Sequence, residues 1–443
     1  MANPFTGILR VKELRERILF TVILLLIFRL GAIIPVPGIN IQALTNFFRE
    51  TNSGNAVVDY LDFFAGGAFS NFSVFMLGIM PYISMSIIMQ LLLIVFPSLK
   101  KLSQEEGGRK KIQSYQRMGT VGVCIIQAFA ITRYAQYIST QVDNLFTINN
   151  FVFFSMVAIL TVTTGTMFLM WLGEQITRRG IGNGISLLIY AGIVARLPQA
   201  IWELIQRVVS TGRPHPVFVI LVFVLFIVIV GLVVFEQQGQ RKIPVNYAKR
   251  VVGRRMYGIP NAFIPFKINP SGVIPVIFAS SILTFPVQIA STIGPNVVWL
   301  RQISEILAPR GWLYNILYVF LIVFFAYFYT QVSLNPIEIA KNIRENGGSV
   351  PGIRSDRIEE YLTKILNRIV LPGSIYLAVI AIIPTIIQYL FDFPANISYL
   401  MGGTSLLILV GVDLDTMSQV ESLLKMHHHD GLTRKGRLRG RNL

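Results

Sequence analysis

The chain has 443 residues, of which 53% are hydrophobic and 14% are charged, and its formal net charge is +17. Soluble domains carry about 25% charged residues, so this composition excludes an ordinary soluble globular protein and indicates an integral membrane protein. The only cysteine, Cys124, lies inside an apolar run, so no disulfide can form within the chain, and a small buried hydrophobe is its simplest role.

Ten apolar runs approach the roughly 20 residues that a helix needs to cross about 30 Å of hydrocarbon. None alternates apolar and polar residues as a barrel strand does, and lipid offers no water to unpaired backbone groups, so each run is predicted to be a helix. The predicted spans are residues 18–34, 72–96, 117–137, 151–173, 183–201, 216–236, 272–292, 312–334, 369–390 and 398–420.

The first span follows the basic stretch RVKELRER and so resembles a signal peptide. It ends in IIPVPG, without the small residues of a cleavage site, and further spans follow, so we expect it to be retained. Lysine and arginine are concentrated in residues 1–17, in the connections after spans 2, 4, 6 and 8, and in the tail 421–443. This asymmetry predicts that both termini and these connections are cytoplasmic.

Two short sequences recur in spans that are five apart along the chain. GIMPYI at Gly78–Ile83 is echoed by GVIPVI at Gly272–Ile277, and NGISLLI at Asn183–Ile189 is echoed by GGTSLLI at Gly402–Ile408. Because five is odd, the second half would enter the membrane upside down relative to the first. The sequence therefore predicts an inverted repeat of two five-helix halves, 18–201 and 216–420, joined by a linker at 202–215.

The repeated sequences also suggest a constriction near the middle of the membrane. Elements related by an axis in the membrane plane meet near the midplane, so Ile83, Ile189, Ile277 and Ile408 are candidates to converge there. Ile79 and Ile185 lie one helical turn before two of these residues, on the same helix faces. A ring of isoleucines would form a dewetted gate that blocks ions, and the alternative is that they are ordinary packing or lipid-facing residues.

A series of motifs carries a resemblance over essentially the whole length of the chain. In order they are FRLGAIIPVPGI, FAGGAFS, LGIMPYIS, GTMFLMWLGEQIT, GIGNGIS, VNYAKR, GVIPVIFASSI, LNPIEIAKN, VPGIR and GGTSLLI. With them the chain resembles the SecY family of protein-conducting channels. The resemblance implies an all-α integral membrane protein with ten transmembrane helices, in two inverted halves around a central pore that a plug half-helix closes. It also implies that Ile79, Ile83, Ile185, Ile189, Ile277 and Ile408 form the pore ring.

By the same resemblance, the plug covers about residues 62–70. Its residues are Asp62, Phe63, Phe64, Ala65, Gly66, Gly67, Ala68, Phe69 and Ser70. The small residues in its centre allow it to pack close to the pore walls and to leave without a large loss of contact area. A re-entrant turn without a gating role is the alternative. Pro81 is expected to loosen the helix beside Ile79 and Ile83, or simply to kink it.

The resemblance also implies a lateral gate, where spans 2 and 7 meet together with spans 3 and 8, and where signal sequences and transmembrane segments leave for the bilayer. Five polar residues at membrane depth suit that seam: Ser84, Ser86, Gln90, Ser280 and Ser281. Polar contacts between membrane helices are weak, on average about 0.6 kcal/mol, so an incoming helix can replace them. The alternative is that they join neighbouring helices permanently.

Two predicted cytoplasmic loops, 237–271 and 335–368, are rich in basic residues. The resemblance implies that they dock the ribosome or the motor ATPase SecA, through Lys249, Arg250, Arg254, Arg255, Arg354 and Arg357. Binding to ribosomal RNA through such residues is strongly salt dependent. The alternative is that these charges only set the topology and attract anionic lipids.

The remaining implications of the resemblance concern partners and location. It implies the small membrane subunits SecE and SecG, signal sequences and nascent secretory or membrane proteins as partners, and the bacterial cytoplasmic membrane as the location. No phosphate-binding GxxxxGK[ST] sequence, catalytic constellation or cofactor motif is found, so we expect no enzymatic activity and no cofactor. The three histidines at 427–429 lie on a basic tail and are not expected to form a metal site.

Two other function classes compete with a channel. A secondary transporter would also show inverted repeats and interrupted helices, but it would need buried charges at a solute site. The ionisable residues that we recognise within the spans are Arg29, Asp413 and Asp415, and none is central. A protein that only anchors ribosomes to the membrane would explain the basic loops, but neither the ring nor the plug.

Overall fold

A helix occupies each predicted span. The computed structural model describes residues 11–50, 62, 65–142, 144–148, 150–212, 215–247, 250–252, 255–257, 262–293, 302, 306–307, 311–391, 393, 397–398 and 403–434. The helices before the first strand are α1 Lys12–Gly31, α2 Ile41–Glu50, α3 Met80–Val95, α4 Pro97–Gln104, α5 Gly108–Ser139, α6 Phe151–Arg179, α7 Gly184–Thr211 and α8 Pro216–Gln238. Those that follow are α9 Ile274–Ile293, α10 Trp312–Ser333, α11 Pro336–Glu345, α12 Ile358–Phe391 and α13 Gly403–Arg434.

By length and hydropathy, six helical segments of the described residues are able to cross a membrane. They contain α5, α6, α7, α8, α10 and α12. A seventh crossing is possible where α3 and α4 follow one another with a bend of 102°. The chain is therefore a mostly helical, multi-pass membrane protein, as predicted, while the count of ten crossings stays a prediction.

The chain divides into two compact units. Unit 1 comprises Met1–Glu203, Ile289–Val298 and Ile408–Leu443, and unit 2 comprises Leu204–Gln288 and Trp299–Leu407. The first boundary lies within the predicted linker, but most of α13 groups with unit 1. The units therefore do not follow the two halves of the chain, and the inverted halves stay a prediction.

Within unit 1, side-chain hydrogen bonds tie the helices together at one end. The guanidinium of Arg117 on α5 binds both carboxylate oxygens of Glu174 on α6, at 2.9 and 2.6 Å. The turn between α6 and α7 is held by Thr21 of α1, whose hydroxyl oxygen accepts from the Ile181 N–H at 3.1 Å. Gln419 of α13 accepts from the Gly182 N–H at 2.8 Å, so four helices meet at this turn.

Unit 2 contains a small sheet that the sequence analysis did not anticipate. Its strands are β1 Gln240–Tyr247, β4 Ala262–Lys267 and β5 Gly348–Ser349, in the order β4-β1-β5, and β2 Arg250–Val252 pairs with β3 Arg255–Tyr257 as a separate hairpin. Both pairs in the sheet are antiparallel, with Ile243 opposite Ile264 and Tyr247 opposite Gly348. Alternate residues of β1, Ile243 and Val245, are buried and pack against α11 and the first turns of α12. The two predicted docking loops are thus joined by one sheet with one core.

The helix that carries Ile83 begins later than predicted, which corrects the role given to Pro81. Residues 72–79 form turns and a single bridge rather than the start of a helix, and Pro81 is the second residue of α3. At that position the N–H of a residue has no partner within the helix, so proline favours helix initiation and does not loosen α3.

The first repeat recurs in the backbone as well as in the sequence. Gly78 and Gly272 have φ values of +57° and +58°, and each helix, α3 and α9, begins two residues later with proline in its second position. Only glycine adopts such angles readily, which explains the first residue of each motif. The second repeat behaves similarly, because α7 and α13 both begin at the second residue of the motif.

Candidate functional site: plug and pore constriction

The described part of the plug segment is helical at Asp62 and consists of turns at residues 65–70. Residues 65–70 form consecutive turns, while Phe63 and Phe64 lie outside the described residues. The expected half-helix is therefore wrong for residues 65–70, because Gly66 and Gly67 have φ values of +64° and +91°. A right-handed helix cannot continue through two left-handed residues.

Asp62, the first residue of this segment, forms a buried ion pair with Arg196. The Arg196 guanidinium donates to one carboxylate oxygen of Asp62, and the Asp62 and Arg196 side chains are only 7% and 15% exposed. The other carboxylate oxygen of Asp62 accepts from the Ser70 N–H at 2.8 Å, and Arg196 also reaches the Ser70 hydroxyl at 3.3 Å. Because Arg196 belongs to α7, the pair fastens both ends of the turn to that helix.

A second arginine and a glycine contact hold the same segment from two sides. Arg29 of α1 donates to the carbonyl of Gly66 at 2.8 Å. Gly66 lies so close to Gly192 of α7 that a Cβ on it would come within 2.7 Å of the Gly192 Cα. Neither glycine has a side chain, so the two backbones come closer together than larger residues would allow.

Three of the predicted ring residues meet the plug in unit 1. A narrow cavity is lined by Ile79, Ile83 and Ile189 together with Ala65 of the plug, and its other lining residues are Phe28, Gly78, Met80 and Leu188. It leaves about 10 Å³ for the centre of a water molecule. This is at or below the volume that one water needs, and the lining is apolar, so the cavity is dry.

The other three predicted ring residues are not among the residues that line this cavity. Ile185 packs against α6, where a Cβ on Gly173 would lie 3.2 Å from its Cγ1. Ile408 of α13 is fully buried, and Ile277 of α9 is 9% exposed within unit 2. A single ring of six isoleucines therefore stays a prediction.

The polar residues of the predicted lateral gate differ between the two helices. Ser84, Ser86 and Gln90 of α3 are half-buried. Ser280 and Ser281 of α9 are buried, and both hydroxyls donate to the carbonyl of Ile277 in the preceding turn, at 2.9 and 2.8 Å. Such bonds satisfy a serine within its own helix. The exchange of contacts at a gate stays a prediction.

The predicted docking residues lie around the strands of unit 2. Arg250 and Arg255 belong to the β2–β3 hairpin, and Lys249 and Arg254 lie outside the described residues. Arg354 and Arg357 are exposed on the short 3-10 turn that precedes α12. Within the described residues no group of three His, Cys, Asp or Glu is placed to hold a metal ion.

Sequence reasoning overlooked Arg196, which is ionisable and lies within the fifth predicted span. Its position does carry a signal. Residues 185, 189, 192 and 196 share one face of a helix, so a charge at 196 had to lie on the same side as the predicted ring. Phe28 and Leu188 were also missed as lining residues, because apolar side chains in a span give no sign of what they face.

Comparison with known proteins decides the class of this site. The SecY family model matches residues 73–417, and the SecY translocase subunit of Borreliella burgdorferi is 46% identical over 96% of each chain. The chain belongs to the SecY family. It is a protein-conducting channel of the Sec translocon and not an enzyme, which decides between the channel and the transporter.

Solved structures of the SecY fold agree in architecture. A protein-conducting channel aligns at a TM-score of 0.63 and 19% identity, and a SecY whose plug domain stabilises the closed channel and maintains a membrane seal aligns at 0.61 and 19%; both cover 92% of each chain. Sec61 from the canine ribosome–channel complex aligns at 0.60 and 18%, with the same coverage. Homologous channels are thus found bound to ribosomes, and the fold includes a plug domain.

Proposed function

We propose that the described arrangement is the closed state of the channel, in which residues 62–70 seal the pore against Ile79, Ile83 and Ile189. One observation carries this proposal: Ala65 of the plug lies in the same dry cavity as these three isoleucines. Apolar walls without room for water oppose the passage of ions.

Opening requires the plug to give up a small number of polar contacts. These are the ion pair between Asp62 and Arg196, the bond from Arg196 to Ser70, and the bond from Arg29 to the Gly66 carbonyl. The polar contacts to α7 are accompanied by the close backbone approach of Gly66 to Gly192. An unfolded secretory chain displaces the plug and passes between isoleucine side chains, which seal around any sequence because they form no hydrogen bonds.

The complete ring adds Ile185, Ile277 and Ile408, and a sufficiently hydrophobic segment leaves sideways at Ser84, Ser86, Gln90, Ser280 and Ser281. The same transfer free energy that defines a membrane span drives this partitioning. The seal and the exit thus share two helices, since Ile83 and Ser84 are neighbours on α3 and Ile277 bonds with Ser280 and Ser281 on α9.

The partners follow from the basic loops and the family. We place both termini and the sheet of unit 2 in the cytoplasm of a bacterium, where the ribosome or SecA docks on the β2–β3 hairpin and on Arg354 and Arg357. SecE and SecG complete the channel, signal sequences and nascent chains are its cargo, and anionic lipids surround its basic face. The exposure of Arg354 and Arg357 beside the sheet supports this docking role.

Site-specific crosslinking tests the pore assignment. In a Cys124→Ser background, Ile189→Cys places one thiol in the dry cavity, and Ile386→Cys on α12, 47% exposed, places one on a surface that faces lipid. Each variant is combined with a stalled secretory chain that carries a single cysteine.

We expect a crosslink from position 189 and none from position 386. Equal reaction at both positions, or none at either, would contradict passage through the constriction. A second crosslink, between cysteines at Ala65 and Ile83 in the idle channel, tests the plug by itself. If this crosslink fails, the plug is wrongly assigned; if it forms while position 189 does not react with the secretory chain, the pore is wrongly assigned.

A further inference from the structure

Unit 2 contains a groove between α10 and α12 that the channel mechanism does not use. One part, of about 620 Å³, is lined by Tyr327, Glu359, Glu360, Thr363, Lys364, Asn367, Arg368 and Leu371. An adjoining part of about 280 Å³ shares Tyr327, Glu359, Thr363 and Asn367 and reaches Leu334 and Val370. These volumes are in the range of small-molecule sites.

The mouth of the groove carries two charges of each sign. Glu360, Lys364 and Arg368 follow at intervals of four residues, so they stand one above the other on α12, and Glu359 lies beside them. In the described part of the chain, none of the four charged groups forms an ion pair. The four charges sum to zero, and each of them is able to pair with a charge on a ligand. They therefore suit a ligand that carries one positive and one negative group.

Apolar stripes lead away from this mouth on both helices. On α12, Leu371, Ile375 and Val379 continue the row and are 50%, 51% and 58% exposed. On α10, Phe324, Phe320 and Ile316 continue from Tyr327 and are 47%, 65% and 57% exposed. Val379 is 11 residues from Arg368 and Ile316 is 11 residues from Tyr327, so each stripe extends about 16 Å, roughly half the thickness of the hydrocarbon core.

We propose that this groove binds one phospholipid with a primary-ammonium zwitterionic headgroup, of the phosphatidylethanolamine class. Lys364 and Arg368 bind the phosphate, Glu359 and Glu360 bind the ammonium, and the two acyl chains lie along the two stripes. The ammonium and phosphate of this headgroup are separated by two carbon atoms. On α12, Lys364 stands about one helical turn, roughly 5.4 Å, from Glu360, and Arg368 stands one turn further along.

Tyr327 joins the two walls, since its hydroxyl donates to the Asn367 carbonyl at 3.4 Å. A purely anionic headgroup would meet both carboxylates without compensation, and a choline headgroup has no N–H to donate to them.

Native mass spectrometry of the detergent-solubilised full chain, titrated with dioleoyl lipids, tests the proposal. We expect dioleoylphosphatidylethanolamine to bind more tightly than the phosphatidylcholine analogue, whereas phosphatidylglycerol also binds the basic face outside the groove. Lys364→Gln with Arg368→Gln, and Glu359→Gln with Glu360→Gln, should each weaken ethanolamine lipid binding about fivefold. The carboxylate pair of substitutions should also strengthen phosphatidylglycerol binding, which loss of fold would not do.

Matched controls change the same charges at exposed sites outside the groove. Lys341→Gln with Lys425→Gln, and Glu345→Gln with Glu421→Gln, remove exposed side chains from two i, i+4 pairs and should leave binding unchanged. Equal affinity for the ethanolamine and choline lipids would show that the groove does not recognise the ammonium N–H groups and would overturn the proposal. Groove variants that bind the ethanolamine lipid as tightly as their controls would also overturn the proposal. This is the result expected if the groove binds a protein partner instead.

Discussion

The ion pair between Asp62 and Arg196 makes the stability of the closed plug directly measurable. Asp62→Asn keeps the shape of the side chain and its bond from the Ser70 N–H, but it leaves the Arg196 guanidinium without a carboxylate. Removing one partner of a fully buried pair costs about 3–5 kcal/mol. Arg196 is 15% exposed and can still bond to an amide oxygen, so we expect about 2 kcal/mol, or roughly a 30-fold rise in the ratio of open to closed plug.

The assay is passive ion flux through the idle channel reconstituted in liposomes. Asp62→Asn and Arg196→Gln should each raise the flux, because each leaves one buried charge unpaired. The double variant places two neutral amides together, so its flux should be lower than that of either single variant. Arg207→Gln, at an exposed position of the same helix, is the matched control. Single variants that leak no more than this control, or strictly additive effects in the double variant, would refute the role of the pair.

Two further predictions concern a glycine of the plug and the basic turn before α12. Gly66→Ala should raise idle ion flux, because an alanine at φ +64° costs about 1–2 kcal/mol and its Cβ would meet the Gly192 backbone at 2.7 Å. Gly122→Ala is the control and should leave the flux unchanged, because a Cβ there has no neighbour within 4 Å. Similar flux from both variants would contradict the close packing of the plug. Arg354→Ala and Arg357→Ala should weaken ribosome binding, measured by cosedimentation, and should make the binding constant less dependent on salt concentration. Lys341→Ala is the control and should change neither property. Weaker binding with an unchanged dependence on salt concentration would argue against contacts to ribosomal RNA.

The sequence predicted the membrane helices well because the bilayer imposes a strong and simple rule on them. Each apolar run became a helix, and the repeated GxxPxI motif predicted a shared local geometry that Gly78 and Gly272 then showed. The prediction failed where one run contained two structures. Residues 72–96 form one apolar run, but Phe72 and Gly78 have positive φ values and the helix is confined to Met80–Val95.

The sheet and the attachment of the plug could not be predicted by counting apolar runs. The strand β1 buries only Ile243 and Val245 inside a basic sequence, and it needs β4, β5 and α12 to form a core. Arg196 could have been found from its helix face, but its partner Asp62 is 134 residues away, and nothing local indicates the pairing. The repeated motifs suggested the six isoleucines and the resemblance to the family assigned them to a pore ring, and the structure brings three of them together in the cavity of unit 1.

The sheet of unit 2 has a mechanical consequence for any partner that grips it. Strand β1 begins two residues after α8 ends, and the sheet shares its core with the first turns of α12. The chain after β4 is also pressed against α12, where a Cβ on Gly373 would lie 3.0 Å from the Ile268 carbonyl oxygen. A force applied at the sheet would therefore reach α8 and α12 together, because both helices adjoin it.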